Sequence, residues 1–413
     1  MDAYVWGDPL VIMSTTRDRL ACLIGINKLY NATTLAGPSS TAVVAPNDDT
    51  LYSTAFLDLR AAPELLSVPA VMGRYVNFQL LDMYTNTFAD IGVLTDGGRA
   101  GRYAIVGPGW HGTIPSGIRR VDSPTPDVWV LGRTQVNGPA DLPNATALQR
   151  KYLLAPLEVL GSGTTGGPST LSCDSSTPAG GDIEILDEIS ADMAADPALP
   201  QDGAVVKAMA AAGIGPELHP VETESAATTD QYAAALKLGS SIVTSGLANG
   251  FSVSRGWARG SVAGSFGTNY VERALVAKLG LGEQVPTQAI YFRAVSTASG
   301  SGLIGSHRYV LTFAKDDLPP FDKDGFWSVT MYDSSDFLVA NPIDRYSIGD
   351  HTPGLVGSSD GSLEIVMSAT RPKGRVNWLP SPTGSFVVTL RVYAPSAVVA
   401  DGRWEPPGIE EMG

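Results

Sequence analysis

The sequence is poor in the residues that most often announce chemistry. Of 413 residues, two are cysteine and four are histidine. Cys22 sits in an apolar helical stretch and Cys173 in a Ser/Gly/Pro-rich loop, so at most one disulfide is available and both are expected as reduced thiols. His111, His219, His307 and His351 never fall three or four residues apart, and none neighbours a cysteine pair. A zinc site of the helical or knuckle type is therefore not expected. No apolar run approaches the ~18 residues of a membrane-spanning helix. Basic residues are outnumbered 28 to 42, for a net charge of −14. That balance argues against nucleic acid or an anionic membrane as partner, because both need clustered Lys and Arg. There is no phosphate-cradling glycine loop and no βαβ alternation, which counts against a dinucleotide-binding fold, and nothing favours Ser-His-Asp catalysis. The opening "MDAYVWGDPL" has no basic segment before an apolar run and no small-residue cleavage site, so the expected compartment is the cytoplasm.

What is present is strand. The expected fold class is mainly β with a helical segment: two jelly-roll-like β-sandwich domains, related by duplication and joined by helices. Residues 1–40 read as N-terminal helices, interrupted at "GDP". Residues 41–175 alternate in short runs such as "TLYSTAFLDL", punctuated by Pro and Gly, and form the first sandwich. Residues 176–285 are Ala/Leu-rich with Asp or Thr near the helix starts, and form a helical linker domain. Its last helix, "TNYVERALVAKLGLG", is closed by Gly280. Strands return over 286–413 as the second sandwich.

The two β regions echo each other. "FQLLDMYTNTF" (78–88) lies without a gap on "WSVTMYDSSDF" (327–337). "SPTPDVWVLGR" (123–133) lies on "SPTGSFVVTLR" (381–391), ending on Arg133 and Arg391. Pro suits a strand start, and an arginine at the strand end suits a rim where it pairs with carboxylates.

Candidate site residues follow from polar groups on apolar strands. In "PNDDTLYS", Asn47, Asp48 and Asp49 form a polar turn. It either closes by an Asx hydrogen bond or rims a site. The next strand puts Leu51, Ala55, Leu57 and Leu59 on one face and Tyr52, Thr54, Phe56 and Asp58 on the other. In "LLDMYTNTF", Asp82 shares a face with Phe78 and Leu80. Such a carboxyl needs a partner such as Arg133, or it serves as an acid/base group whose pKa burial raises. The acidic loop holding Asp333, Asp336, Asn341, Asp344 and Asp350 lacks the twelve-residue calcium pattern. No metal and no cofactor are expected.

The runs "AYVWGDPLVIM", "VVAPNDDTLYSTAFLDL", "LLDMYTNTF", "GPGW" and "LGRT" together resemble the N-terminal domain known as domain of unknown function 1254. "GTNYVERALVAKLGLG", "FWSVTMYD", "LVANPIDRYSIGD", "NWLPSPTGSFVVTLRVYAP" and "GRWEPPGIE" resemble its usual C-terminal partner, domain of unknown function 1214. The resemblance implies two β-sandwich domains joined by helices. Many members look secreted or envelope-associated, whereas no signal segment is recognisable here. "NKLYN" (27–31) departs from a more usual histidine-containing version of that stretch.

The expected function is a cytoplasmic, cofactor-independent enzyme acting on a small molecule by acid/base chemistry: hydrolysis, elimination or isomerisation. Asp49, Asp82 and Tyr84 would be catalytic. Asn47, Tyr52, Asn86 and Arg133 would bind the ligand where the edge of the first sandwich meets the helical segment. The alternative is a carbohydrate- or polyol-binding protein, and a structural role in an assembly is a third reading. The expected partner is a small-molecule ligand, with room left for a homo-oligomer.

Overall fold

The computed structural model describes the chain except for residues 41–44, 158–182, 224, 250, 261–263 and 413. The expected Gly/Ser-rich loop (161–182), with Cys173, lies outside the described residues. The chain is mainly β, with four sheets arranged as two pairs.

Six strands carry the site: β1 (Thr50–Asp58), β2 (Val76–Leu81), β3 (Asp127–Gln135), β4 (Ala289–Ala294), β5 (Phe321–Asp333) and β6 (Phe386–Pro395). In the first half, a sheet runs Tyr30–Asn31, β1, β3, β2, Thr87–Gly92. It faces a second sheet ordered Arg119–Asp122, Gly101–Val106, Glu64–Val68, Leu153–Pro156. In the second half, a sheet runs Phe251–Ser254, Trp257–Gly260, β4, β6, β5, Ser347–Gly349. It faces Asn377–Pro380, Leu363–Ser368, Arg308–Phe313, Ile409–Met412. The strand orders correspond: β1-β3-β2 matches β4-β6-β5, all antiparallel. Each facing sheet opens with one parallel pair and continues antiparallel.

Each pair of sheets encloses an apolar core. Leu57, Phe78, Leu80 and Val130 meet Leu66, Tyr103 and Ile105 in the first. Phe292, Val329 and Leu390 meet Leu311, Phe313 and Ile365 in the second. Burial of such side chains is worth about 1.5–3 kcal/mol each and dominates the stability of both halves.

The first sheet is covered on both faces, which explains why every residue of β3 is buried. On its outer face Phe56 stacks on Trp129 at 5.7 Å, and both join a cluster with helix α1 (Asp2–Ile24), helix α2 (Ile185–Ala195) and helix α3 (Tyr270–Leu279). The face bearing Tyr52, Thr54 and Phe56 is therefore partly a wall packed on helices.

Three elements differ from the reading of the sequence. Helix α1 runs unbroken through "GDP", with Pro9 inside it, although proline removes one helical hydrogen bond. Its approach to α2 needs glycine, because a Cβ at Gly7 would fall 2.6 Å from the Ile189 side chain. The hairpin of Phe251–Ser254 and Trp257–Gly260, inside the stretch read as helical, belongs to the second sandwich and pairs with β4. The echo between 78–88 and 327–337 is displaced by two residues. Asp82 Oδ1 accepts backbone N–H bonds from Tyr84 and Asn86 at 2.9 and 2.8 Å, and Asp333 Oδ1 accepts the same pair from Ser335 and Phe337 at 2.8 and 3.0 Å. Thr85 and Asp336 follow with φ of 66° and 64°. Asp82 thus corresponds to Asp333, whereas the gapless overlay sets it against Met331.

Candidate functional site

The strand registers bring the two echo arginines to matching places. Arg133 on β3 lies across from Tyr52 on β1 and Asn77 on β2. Arg391 on β6 lies across from Tyr291 on β4 and Ser328 on β5. Neither arginine sits at a rim, since their exposures are 5% and 4%. Each guanidinium is held in the same way. Arg133 donates to the Gln79 side chain at 2.8 Å and to the Gly282 carbonyl at 2.7 Å. Arg391 donates to Thr330 Oγ1 at 3.0 Å, to the Tyr332 hydroxyl at 2.8 Å and to the Ala45 carbonyl at 2.9 Å.

Those two carbonyls come from crossed segments. Ala45 precedes β1 of the first sandwich and caps the arginine of the second. Gly282 precedes β4 of the second and caps the arginine of the first. Helix α3 aims the latter segment: Asn269 caps its start, and Gly280 closes it with an N–H bond to Val276. Gly282 has φ +82°, and a Cβ there would lie 2.8 Å from Leu131. Only glycine turns its carbonyl onto Arg133 without strain. The exchange is completed by side chains. Asn47 donates to the Tyr393 hydroxyl across the junction, and Gln288 accepts from the Tyr75 hydroxyl at 3.0 Å.

Near both arginines, Tyr52, Glu283 and Tyr291 remain half-buried where the sandwiches meet. Arg133 lies 5.7 Å from the Tyr52 ring, and Arg391 lies 6.0 Å from the Tyr291 ring. The Glu283 carboxyl forms no hydrogen bond or ion pair with the described residues. Burial pushes its pKa up to about 7; Arg391 and Arg133 act against that shift and Glu272 reinforces it. Burial also pushes the Tyr291 phenol up to about 12, with Arg133 restraining the rise. A carboxyl near neutrality suits reversible proton transfer.

On the Arg391 side lie Asp48 and Asp49. Ser347 donates to Asp48 Oδ2 and Asp49 Oδ1 at 3.0 Å each, and Ser328 donates to Asp49. Burial, then the adjacent Asp49, raises Asp48 to about 8, and burial also raises Asp49. The Asn47 side chain accepts from the Asp49 N–H at 2.6 Å, so the turn is an Asx turn and also a rim of the junction.

Four of the residues singled out from sequence, Asn47, Asp49, Tyr52 and Arg133, thus lie around the junction. Asp82, Tyr84 and Asn86 do not join them. Asp82 closes its own turn and feels Arg273 rather than Arg133; burial holds its pKa near 6. Tyr84 donates to the Asp196 carbonyl at 2.8 Å, and Asn86 accepts from the Phe266 N–H at 3.3 Å. Both tie the turn to the helical segment. Sequence reasoning passed over Glu283, Tyr291 and Tyr393. Arg391 was visible only as the partner of Arg133 in the echo.

Among the described residues no group of three or more His, Cys, Asp or Glu side chains is placed to hold a metal ion. The carboxylates after β5 go separate ways: Asp333 closes its turn, and Asp336 pairs with Arg293 at 2.8 Å. No helix of the described residues is long and apolar enough to cross a membrane.

Fold and site together define a two-sandwich protein with two buried arginines and their tyrosines at the junction. The family models agree with this division: residues 26–156 match "protein of unknown function (DUF1254)" and residues 288–397 match "protein of unknown function (DUF1214)". The chain belongs to the family that pairs these two domains. Among solved structures it is similar to the VPA0106 protein from Vibrio parahaemolyticus, with 22% identity and a TM-score of 0.76, covering 100% of this chain and 98% of that one. An uncharacterized protein from Burkholderia cenocepacia matches at 11% identity and a TM-score of 0.48, covering 99% and 87%. No curated protein matches.

Proposed function

We propose that this protein is an enzyme that moves protons on a small molecule held at the junction of its two sandwiches. The reading rests on one observation: the Glu283 carboxyl stands half-buried and unbonded among the described residues, within the field of two buried guanidiniums. In this role Glu283 takes a proton from the substrate or returns one to it. Tyr291 hydrogen-bonds to the oxygen on which charge develops, and the arginines stabilise that charge. The reaction classes that fit are elimination, isomerisation and hydrolysis. The groups named all come from the chain itself.

The same features support a descent of the two sandwiches from one duplication. Corresponding strand orders, the matched arginines and the matched Asx turns speak for it.

The test is turnover of a metabolite library followed by NMR, with wild-type protein, Glu283→Gln and Tyr291→Phe. Loss of about 100-fold or more in Glu283→Gln, at unchanged melting temperature, is expected of a general acid/base. Equal turnover by Glu283→Gln and wild type sinks the reading.

A further inference from the structure

We infer that the junction of the two sandwiches binds an oxyanion, carboxylate or phosphate, carried by a small molecule, with Arg133 and Arg391 supplying the opposing charge. The inference rests on the junction being the functional site, but not on catalysis there.

Arg133 and Arg391 are buried, and neither lies within ion-pair distance of a carboxylate among the described residues. Their described hydrogen bonds go to neutral oxygens of Gln79, Gly282, Thr330, Tyr332 and Ala45. The carboxyls that feel them, Asp48 and Asp49 for Arg391 and Glu283 for both, all lie beyond ion-pair distance, and taking a guanidinium out of water without a close ionic partner is costly. The other arginine buried among the described residues is treated differently: Arg273 has the Asp202 carboxyl at 3.8 Å. The guanidinium fork matches planar oxyanions, and Tyr52 and Tyr291 add hydroxyl donors at the same junction.

Charge at the junction also sets a proton linkage. The groups facing Glu283 are Arg133, Arg391, Glu272 and Tyr291, with Asp48 and Asp49 beyond Arg391. An incoming anion between the arginines disfavours ionised Glu283, so the bound state takes up a proton. Affinity for an anion should therefore rise as pH falls through neutrality, by at most tenfold per pH unit for one proton.

The experiment is titration calorimetry on the full chain at pH 6 and pH 8. Acetate, citrate and gluconate probe carboxylates, inorganic phosphate and glucose 6-phosphate probe phosphates, and glucose and inositol probe neutral polyols. At least one oxyanion should bind, tighter at pH 6, and the polyols should not. Arg133→Gln should weaken binding tenfold or more, while Arg133→Lys restores part of it. Glu283→Gln should flatten the pH dependence read with acetate and gluconate, whose own charge is constant from pH 6 to 8, which also covers the case in which Arg133→Gln fails to fold. Binding by no oxyanion, binding of polyols as tight as that of acids, or full affinity in folded Arg133→Gln overturns the inference. Binding without any Glu283-dependent turnover removes the catalytic reading alone.

Discussion

The two arginine sites are built alike and finished differently. Each sits on a central strand beside a tyrosine and is capped by a carbonyl from the opposite half. Arg391 is also bonded by Tyr332, and Asp48 and Asp49 on its side are clamped by Ser328 and Ser347. Arg133 has no such clamped carboxyls, and Glu283, on which Arg391 and Arg133 both act, is left unbonded among the described residues. The Arg391 site is a clasp between halves, whereas Glu283 keeps an open carboxyl. In the proposed reaction the open carboxyl is the acid/base group, because a clamped one is already committed to its serines.

Removing the clasp should have the largest effect. Arg391→Gln removes the donor to Thr330, Tyr332 and the Ala45 carbonyl and the charge that restrains the buried Asp48 and Asp49, and should cost about 4 kcal/mol in urea denaturation. The same change at Arg133 should cost visibly less; equal losses would erase the contrast between the sites. Next comes the turn that matches across the halves. Asp82→Ala leaves buried N–H groups of Tyr84 and Asn86 unsatisfied and should cost about 3 kcal/mol, against about 1 kcal/mol for Asp333→Ala, whose turn is more exposed. Gly282→Ala, strained in backbone and crowded by Leu131, should cost about 2 kcal/mol and loosen the Arg133 cap. The smallest effect is on pH dependence. Glu283 near 7 and Asp48 near 8 hold protons that the unfolded chain has already released above about 4.5. Stability from these groups is full below that pH and is lost as pH rises through 7 and 8. The urea midpoint should fall between pH 6 and 9, and Asp48→Asn should flatten the upper part of that fall.

The legible part of this molecule is what local chemistry writes into side chains. Alternation marks β1 and β3, Gly280 marks the end of α3, and "SPT" with a terminal arginine marks two matching strands. The displaced echo shows the limit. A shift of two residues leaves the pleat unchanged, so hydrophobic alternation accepts either register. Only the Asx hydrogen bonds at Asp82 and Asp333 decide it. Asp82 drew attention as a polar group on an apolar strand, and its own turn accounts for it. Glu283 gave no signal, since its setting is made by β3 and β6, far away in sequence. The carbonyls of Ala45 and Gly282 carry none either, because every residue has one.

Those crossed carbonyls have a mechanical consequence. Neither half contains all the parts of its own centre, so pulling the sandwiches apart uncaps both arginines in one event. The halves should therefore melt together, as a single peak in calorimetry, and damage confined to one should be felt in the other. In inheritance as in heating, the two halves stand or fall as one unit.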